Sequence, residues 1–426
     1  MKNSIFLFSI TLITVFLHFG CQQDSNSSNL SFDLDNFILS DLESPVGSGG
    51  EPNLFVSEQG DVYLSWVEYV NDTTDALMFS KIENDVWSTP TEIARGSDWF
   101  VNWADFPSLV VYKNNEQHMA AHWLQKRAAG TYDYDVHITQ SKDGGKTWGK
   151  SFVIHTDGVA AEHGFVTMLP QSDRKVFATW LDGRFTKVEG EETAHDSHDD
   201  HGHGAGGAMT LRTATFDIKG KLYDEKELDH RICDCCQTAA IVTPNKSLVA
   251  YRDRSVDEIR DISFVQKTNE GWSSPSLVHA DNWKIAGCPV NGPALANHND
   301  DIAIAWFTSA EEKPTVNVSF YNNEITNFEK PIRIDKGNPL GRVGIELFDD
   351  FAMVSWLEQV GENAEIKLAQ VFSNKEKTKI VTLSKSSTSR RSGFPQIEKS
   401  EDQLIFAWTV SDEKKSTVHT AFWKFK

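Results

Sequence analysis

Leu64-Ser65-Trp66-Val67-Glu68 returns along the chain as Ala121-His122-Trp123-Leu124-Gln125, Ala178-Thr179-Trp180-Leu181-Asp182 and Val354-Ser355-Trp356-Leu357-Glu358. Three looser copies complete the series: Val249-Ala250-Tyr251-Arg252-Asp253, Ile304-Ala305-Trp306-Phe307-Thr308 and Phe406-Ala407-Trp408-Thr409-Val410. The aromatic stands at 66, 123, 180, 251, 306, 356 and 408, with one long interval of 71 residues between 180 and 251. Self-similarity at a period of this size identifies a repeat architecture, in which neighbouring units bury each other's apolar faces.

The surroundings of the aromatic repeat as well. Before it lies a short apolar strand, often introduced by Pro or Gly, as in Glu51-Pro52-Asn53-Leu54, Phe106-Pro107-Ser108-Leu109, Gly292-Pro293-Ala294-Leu295 and Phe394-Pro395-Gln396-Ile397. After it come a polar loop, a third strand, a tight turn and a fourth strand such as Trp87-Ser88-Thr89-Pro90 or Trp272-Ser273-Ser274-Pro275. Four short strands per unit with aromatic signatures describe a propeller blade. The class is all-β: a single β-propeller of seven blades, with six as the alternative count. The last copy stops at its third strand, Val418–Phe425, while Phe37-Ile38-Leu39-Ser40 precedes the first copy with no blade of its own. That N-terminal segment is expected to complete the seventh blade and remove its open edge.

The ends and the composition limit the setting. Lys2 followed by an apolar run from Ile5 to Phe19 reads as an export signal over residues 1–20, too short to span a bilayer. It ends at Phe19-Gly20-Cys21, which resembles a bacterial lipobox, although His18 stands where a branched aliphatic is usual. Cys21 is then the lipidated residue, residues 21–31 a flexible tether and 32–426 the propeller. The expected place is the cell envelope, periplasm-facing or at the surface, with membrane contact through the anchor only. A net charge of −20, from 61 acidic and 41 basic residues, excludes nucleic acid as a natural partner. A monomer is expected.

Ser141-Lys142-Asp143-Gly144-Gly145-Lys146-Thr147-Trp148 matches Ser-x-Asp-x-Gly-x-Thr-Trp, and here the chain resembles the sialidase and BNR (Asp-box) repeat superfamily. Degenerate relatives sit at Glu83-Asn84-Asp85-Val86-Trp87 and Asn269-Glu270-Gly271-Trp272. The resemblance implies a hairpin turn between third and fourth strands on a sialidase-like propeller, and with it a glycan theme. It does not carry sialidase activity, because Glu51-Pro52-Asn53-Leu54 occupies the place of the Arg-Ile-Pro phrase and the family has six blades. Seven-bladed propellers also house polysaccharide lyases.

Blade topology sorts the loops into two faces. Loops leading into first strands and loops following second strands open together, opposite the Asp-box turn. They collect Asp105, Glu162, His163, Tyr132 and Tyr134 as acid, base or nucleophile candidates. They also collect Asp182, Arg184, Arg252, Asp253, Arg254, Arg260, Asn291 and Arg342 as candidates to bind an anionic carbohydrate. The competing reading of those Arg/Asp clusters is structural, as ties between blades. Cys233, Cys235, Cys236 and Cys288 fall in the loops leading into blades four and five. In an exported chain they read first as a disulfide from Cys288 to the 233–236 cluster, and second as a thiolate site for copper or zinc. The long interval holds a loop insertion at about 188–208 with His195, His198, His201 and His203, a weak metal-binding tract or a solvated loop. No cofactor is required by this reading. Three functions compete: a hydrolase or lyase acting on an anionic glycan, a metal-handling lipoprotein, and a non-catalytic binding propeller.

Overall fold

The structure, a computed structural model, describes residues 34–187, 207–243, 245–374, 379–411 and 415–425. The export signal, Cys21 and the tract with His195, His198, His201 and His203 lie outside the described residues. The described chain forms seven antiparallel sheets, each a meander of sequential strands. No described helix is long and apolar enough to cross a membrane.

The seven innermost strands are Gly49–Val56, Ser108–Tyr112, His163–Pro170, Ala239–Val242, Ala294–His298, Asn338–Leu347 and Gln396–Ser400. Each pairs with the strand that carries the repeated aromatic. Those second strands are buried on both faces, because a neighbouring blade covers each side. Trp66, Trp180, Trp306 and Trp356 are at most 1 % exposed, and burying such a ring stabilises the fold by roughly 2–3 kcal/mol. The apolar clusters therefore lie between blades: Leu54, Leu64 and Trp66 of the first pack with Ile405, Ala407 and Val418 of the last.

The acid two residues after the aromatic is part of the repeat for a packing reason. Residues two apart on a strand point to one face, so each indole N–H meets its own acceptor. Trp66 donates to Glu68, Trp180 to Asp182 and Trp356 to Glu358, each at 2.9 Å.

The ring closes as expected, with a shift of register. Ser40–Leu42, rather than Phe37–Ser40, pairs with Ser416–Lys424 and completes the last blade. Phe37 instead packs edge-on against Trp423, with ring centroids 5.0 Å apart. The Ser141–Trp148 turn forms with the bonds its residue types allow: Thr147 Oγ1 donates to Asp143 Oδ2 at 2.6 Å and the Trp148 indole to Gly145 O at 3.1 Å. It follows the third strand of its blade, Tyr134–Ser141, and so opens at the opposite end from Asp105 and Glu162.

Candidate functional site

Three inner strands begin with the same irregularity. The register slips at Gly50/Asn53, Gly164/Thr167 and Gly341/Gly344, and Glu51, Phe165 and Arg342 have φ of 54°, 52° and 56°. A bulge there re-aims side chains toward the axis. Two of the bulges are held from the preceding blade: Asp105 Oδ1 accepts the Phe165 N–H and Asn291 Oδ1 accepts the Arg342 N–H, each at 2.7 Å. The glycines make room for that approach, since a Cβ on Gly164 would sit 2.0 Å from Asp105 Oδ2 and one on Gly341 2.1 Å from Asn291 Oδ1. Asp105 and Asn291 thus hold corresponding structural positions.

Asp105, Tyr134 and Glu162 come together as the loop reading expects. The Tyr134 hydroxyl lies 2.9 Å from Glu162 Oε1 and 3.2 Å from Asp105 Oδ2. A phenol has one proton to donate, so one of these two contacts requires a protonated carboxyl. Burial pushes Asp105 up to about 7, against the Phe165 and Tyr134 hydrogen bonds. Burial, with Asp234 and Asp105 nearby, holds Glu162 well above the usual carboxylate range. Tyr134 is fully buried and stacks on Phe100 at 4.2 Å, whereas Tyr132 is 42 % exposed.

His163 does not join Glu162. It is fully buried, its Nδ1 bonds Ala161 O at 3.0 Å, and its ring stacks on His155 at 3.6 Å. Its Nε2 lies 3.2 Å from Asp157 Oδ2, out of line for a hydrogen bond, and 3.7 Å from Asp182 Oδ1. Burial alone lowers its pKa, but Asp157 and Asp182 outweigh that and raise it, while burial drops His155 to about 4. The sequence reading missed His155 and Asp157; the His155-Thr156-Asp157 spacing, two residues apart in the stretch before Glu162, was the available signal.

The arginine clusters are consumed by the protein itself. Arg252 donates to three carbonyls, those of Asn291, Arg260 and Phe307, at 2.8, 2.6 and 2.7 Å. Arg342 bonds Ser392 Oγ at 2.7 Å and Gly393 O at 2.9 Å, and its guanidinium lies over the Trp103 ring. Arg184 pairs with Asp182 at 2.7 Å, and Arg254 with Glu258 at 2.7 Å and Asp234 at 3.3 Å. Arg260 takes Glu258 and Cys233, and Asp253 accepts from Ser263 at 3.1 Å. Arg184, Arg252, Arg254 and Arg260 are thus ties within and between blades rather than a vacant anion clamp, whereas Arg342 meets only neutral acceptors and shares its surroundings with the positive charge of Arg390. Exposed at the mouth are Arg390, within electrostatic reach of Tyr132, and its neighbour Arg391, within reach of Tyr69.

The four cysteines are free thiols, which corrects the expected Cys288 disulfide. Cys233 Sγ lies 3.5 Å from Cys236 Sγ and 3.8 Å from Cys235 Sγ, whereas a disulfide needs about 2.05 Å. Burial pushes the Cys233 thiol up, but contacts with Cys235, Cys236 and Arg260 hold it well below the usual range. The cluster adjoins the acids: the charge of Cys233 is felt at Glu162, and those of Cys235 and Cys288 at Tyr132.

Beneath the mouth, the axis encloses a cavity of about 300 Å³, to which every blade contributes an inner strand. Asp105 reaches it, as do Glu346 and Glu398; burial raises Glu346 to about 8 and Glu398 well above its usual value.

No family model and no curated protein matches the chain. Solved structures do. A polysaccharide lyase aligns over 90 % of this chain and 91 % of its own, with a TM-score of 0.51 and 9 % identity. An ulvan lyase of polysaccharide lyase family PL25 aligns over 89 % and 94 %, with a TM-score of 0.52 and 10 % identity. A neuraminidase-like protein from A/bat/Guatemala/164/2009 aligns over 91 % of each chain, with a TM-score of 0.47 and 11 % identity. The shared feature is the propeller. At these identities the likeness is one of fold alone.

Proposed function

We propose that the protein is an exported, lipid-anchored propeller that binds an acidic glycan across the mouth marked by Tyr132, Glu162 and Arg390. The observation that carries this reading is the contrast at that mouth. The arginines of the sequence-derived site are occupied by protein acceptors, while Arg390 is exposed beside a half-exposed phenol and a carboxyl that burial pushes toward its neutral form. A guanidinium suits a carboxylate or sulfate, an aromatic face suits a sugar ring, and a protonated acid suits a glycosidic oxygen. The reading has a parallel in fold: the PL25 ulvan lyase has also been solved bound to -[GlcA(1-4)Rha3S]-.

The chemistry that fits is elimination or hydrolysis. Arg390 would neutralise the acidic group of the sugar; in elimination Tyr132 would take the proton beside that group while Glu162 gives one to the departing oxygen, and in hydrolysis water would replace the departing oxygen that Glu162 protonates. With a net charge of −20 the chain repels polyanions at long range, so affinity must come from close contacts. Calorimetric titration with uronate-containing and sulfated oligosaccharides tests the binding step, and product analysis tests cleavage. Arg390→Ala should weaken binding by at least tenfold with an unchanged melting temperature. Binding without products assigns a glycan receptor; wild-type protein that binds none of these oligosaccharides sinks the proposal.

A further inference from the structure

Cys233, Cys235 and Cys236 sit in the loop between Asp229 and the inner strand Ala239–Val242, at the mouth of the fourth blade. Their three Sγ atoms lie within 4.8 Å of one another, with two separations of 3.5 and 3.8 Å. That spacing is too long for a covalent bridge. It is the spacing of ligands around a shared ion: a metal–sulfur bond of about 2.3 Å in a tetrahedral site puts neighbouring sulfurs about 3.8 Å apart.

The surroundings are those of thiolates rather than of inert buried thiols. Cys233 and Cys236 are each 1 % exposed, yet both sulfurs accept from strong donors. Arg260 Nη1 donates to Cys233 Sγ at 3.2 Å and the Asn291 N–H to Cys236 Sγ at 3.4 Å. Arg260 is itself fully buried, and it shares its carboxylate, Glu258, with Arg254. Arg254 also holds Asp234, so these two guanidiniums face two carboxylates, and the Arg260 Nη1 that Glu258 does not take is the charged donor that favours an anionic sulfur at Cys233. Donors to the ligating atoms that fix their orientation are the usual outer layer of a metal centre. Cys288, from the loop leading into the next blade, raises the Cys235 thiol but lies outside the group of three, and it would move in to supply a fourth sulfur.

We propose that Cys233, Cys235 and Cys236 form a thiolate site for a thiophilic d10 ion, zinc(II) or copper(I), which Cys288 closes from the adjoining blade. Sulfur ligands and an absence of histidine in the cluster select soft ions over magnesium or calcium. Binding releases one proton to solvent for each sulfur that is still a thiol when the ion arrives; no electrons move and no oxidant is needed. The ion would reinforce the joint between two loops that already meet through the Asn291 N–H on Cys236 and the Gly292 N–H on Gln237. The inference rests on the thiol geometry and is independent of any glycan.

The test uses the full chain purified under reducing, metal-free conditions and titrated separately with zinc(II) and with copper(I) against competing chelators. One equivalent of ion should bind tightly, with proton release measured by calorimetry in buffers of different ionisation enthalpy. Cobalt(II) should give the intense visible bands of a tetrahedral thiolate complex. Cys235→Ser, at the half-exposed thiol, should lower affinity at least 100-fold and Cys288→Ser about tenfold, with circular dichroism showing both folded. Arg260→Met should cost 10–100-fold. A variant lacking residues 190–206 should keep the tight ion, which separates this site from the histidine tract. Folded protein that retains no stoichiometric ion, Cys235→Ser and Cys288→Ser variants that bind as wild type, or disulfides among these cysteines in protein recovered from the envelope would each overturn the proposal. Loss of oligosaccharide binding with the ion still bound bears on the glycan reading alone.

Discussion

Asp105 of the second blade accepts the amide N–H of Phe165 in the third at 2.7 Å while its other oxygen contacts the Tyr134 hydroxyl at 3.2 Å. A carboxyl committed to a neighbour's backbone is a joint between blades, and burial makes that joint sensitive to pH. Its folded pKa, about 7, lies above the ordinary aspartate value of 3.8, so between those values the folded state holds a proton the unfolded state has lost. Stability from this group is therefore complete in acid and falls as pH rises from about 4 to about 7, by on the order of 4 kcal/mol. Asp105→Asn, which imitates the protonated acid, should flatten this part of the profile. Urea unfolding at pH 5 and pH 8 measures it; an unchanged slope would show that Asp105 ionises normally in the folded protein.

Gly341 has φ of 81°, and a Cβ there would sit 2.1 Å from Asn291 Oδ1. Gly341→Ala should destabilise by about 1–3 kcal/mol, since both the backbone and the blade contact must yield. Gly361 also has a positive φ, 63°, but opens on space with nothing within 4 Å. Gly361→Ala should cost about 1 kcal/mol at most. Equal losses in the two variants would remove the steric part of the account.

Arg252 and Arg390 should separate cleanly. Arg252→Ala strands three carbonyls and empties a fully buried volume beneath Trp283, at a cost of about 3–5 kcal/mol. Arg252→Lys should not restore it, because one ammonium cannot reproduce a planar fork. Arg390→Ala should leave stability within about 0.5 kcal/mol. Chemical denaturation of the three variants decides whether the arginines divide in this way.

The indole–acid pairs predict a graded series. Trp180→Phe removes the donor to the fully buried Asp182 and some ring volume, and should cost about 2–4 kcal/mol. Trp123 meets only Gln125, at 3.5 Å, so Trp123→Phe should cost about 1 kcal/mol less. Thermal melts of both variants under one buffer condition give the comparison.

Removal of residues 34–43 deletes the strand Ser40–Leu42 and uncovers an edge of the last blade, along with the Phe37–Trp423 contact. The shortened protein should melt several degrees lower and self-associate at high concentration, because an open strand edge invites another chain. Light scattering and melting curves follow both effects; a monomeric protein of unchanged stability would show that closure contributes little.

The amino-acid sequence by itself determined the repeat, its number and its sense. The aromatic at the centre of each phrase has to be buried on both sides, and only stacked copies of the phrase can do that, so the seven recurrences amount to seven blades. It also determined which loops share a face, because strand alternation leaves no other arrangement, and Asp105, Tyr134 and Glu162 meet as that rule requires. What the tertiary structure decided is which polar groups remain free. Arg252 and Arg342 are alike in the sequence, but only contacts between blades reveal that three carbonyls fill the fork of Arg252, that Arg342 meets carbonyls and a serine hydroxyl, and that Arg390 faces solvent. His163 was separated from Glu162 by the same cause, since adjacent residues point to opposite faces and a stacked partner, His155, comes from the stretch just before Glu162. The cysteines show the limit most plainly. Their order along the chain is compatible with bridge or cluster, and the choice rests on sulfur separations of 3.5 and 3.8 Å that depend on how the one loop carrying Cys233, Cys235 and Cys236 coils at the mouth.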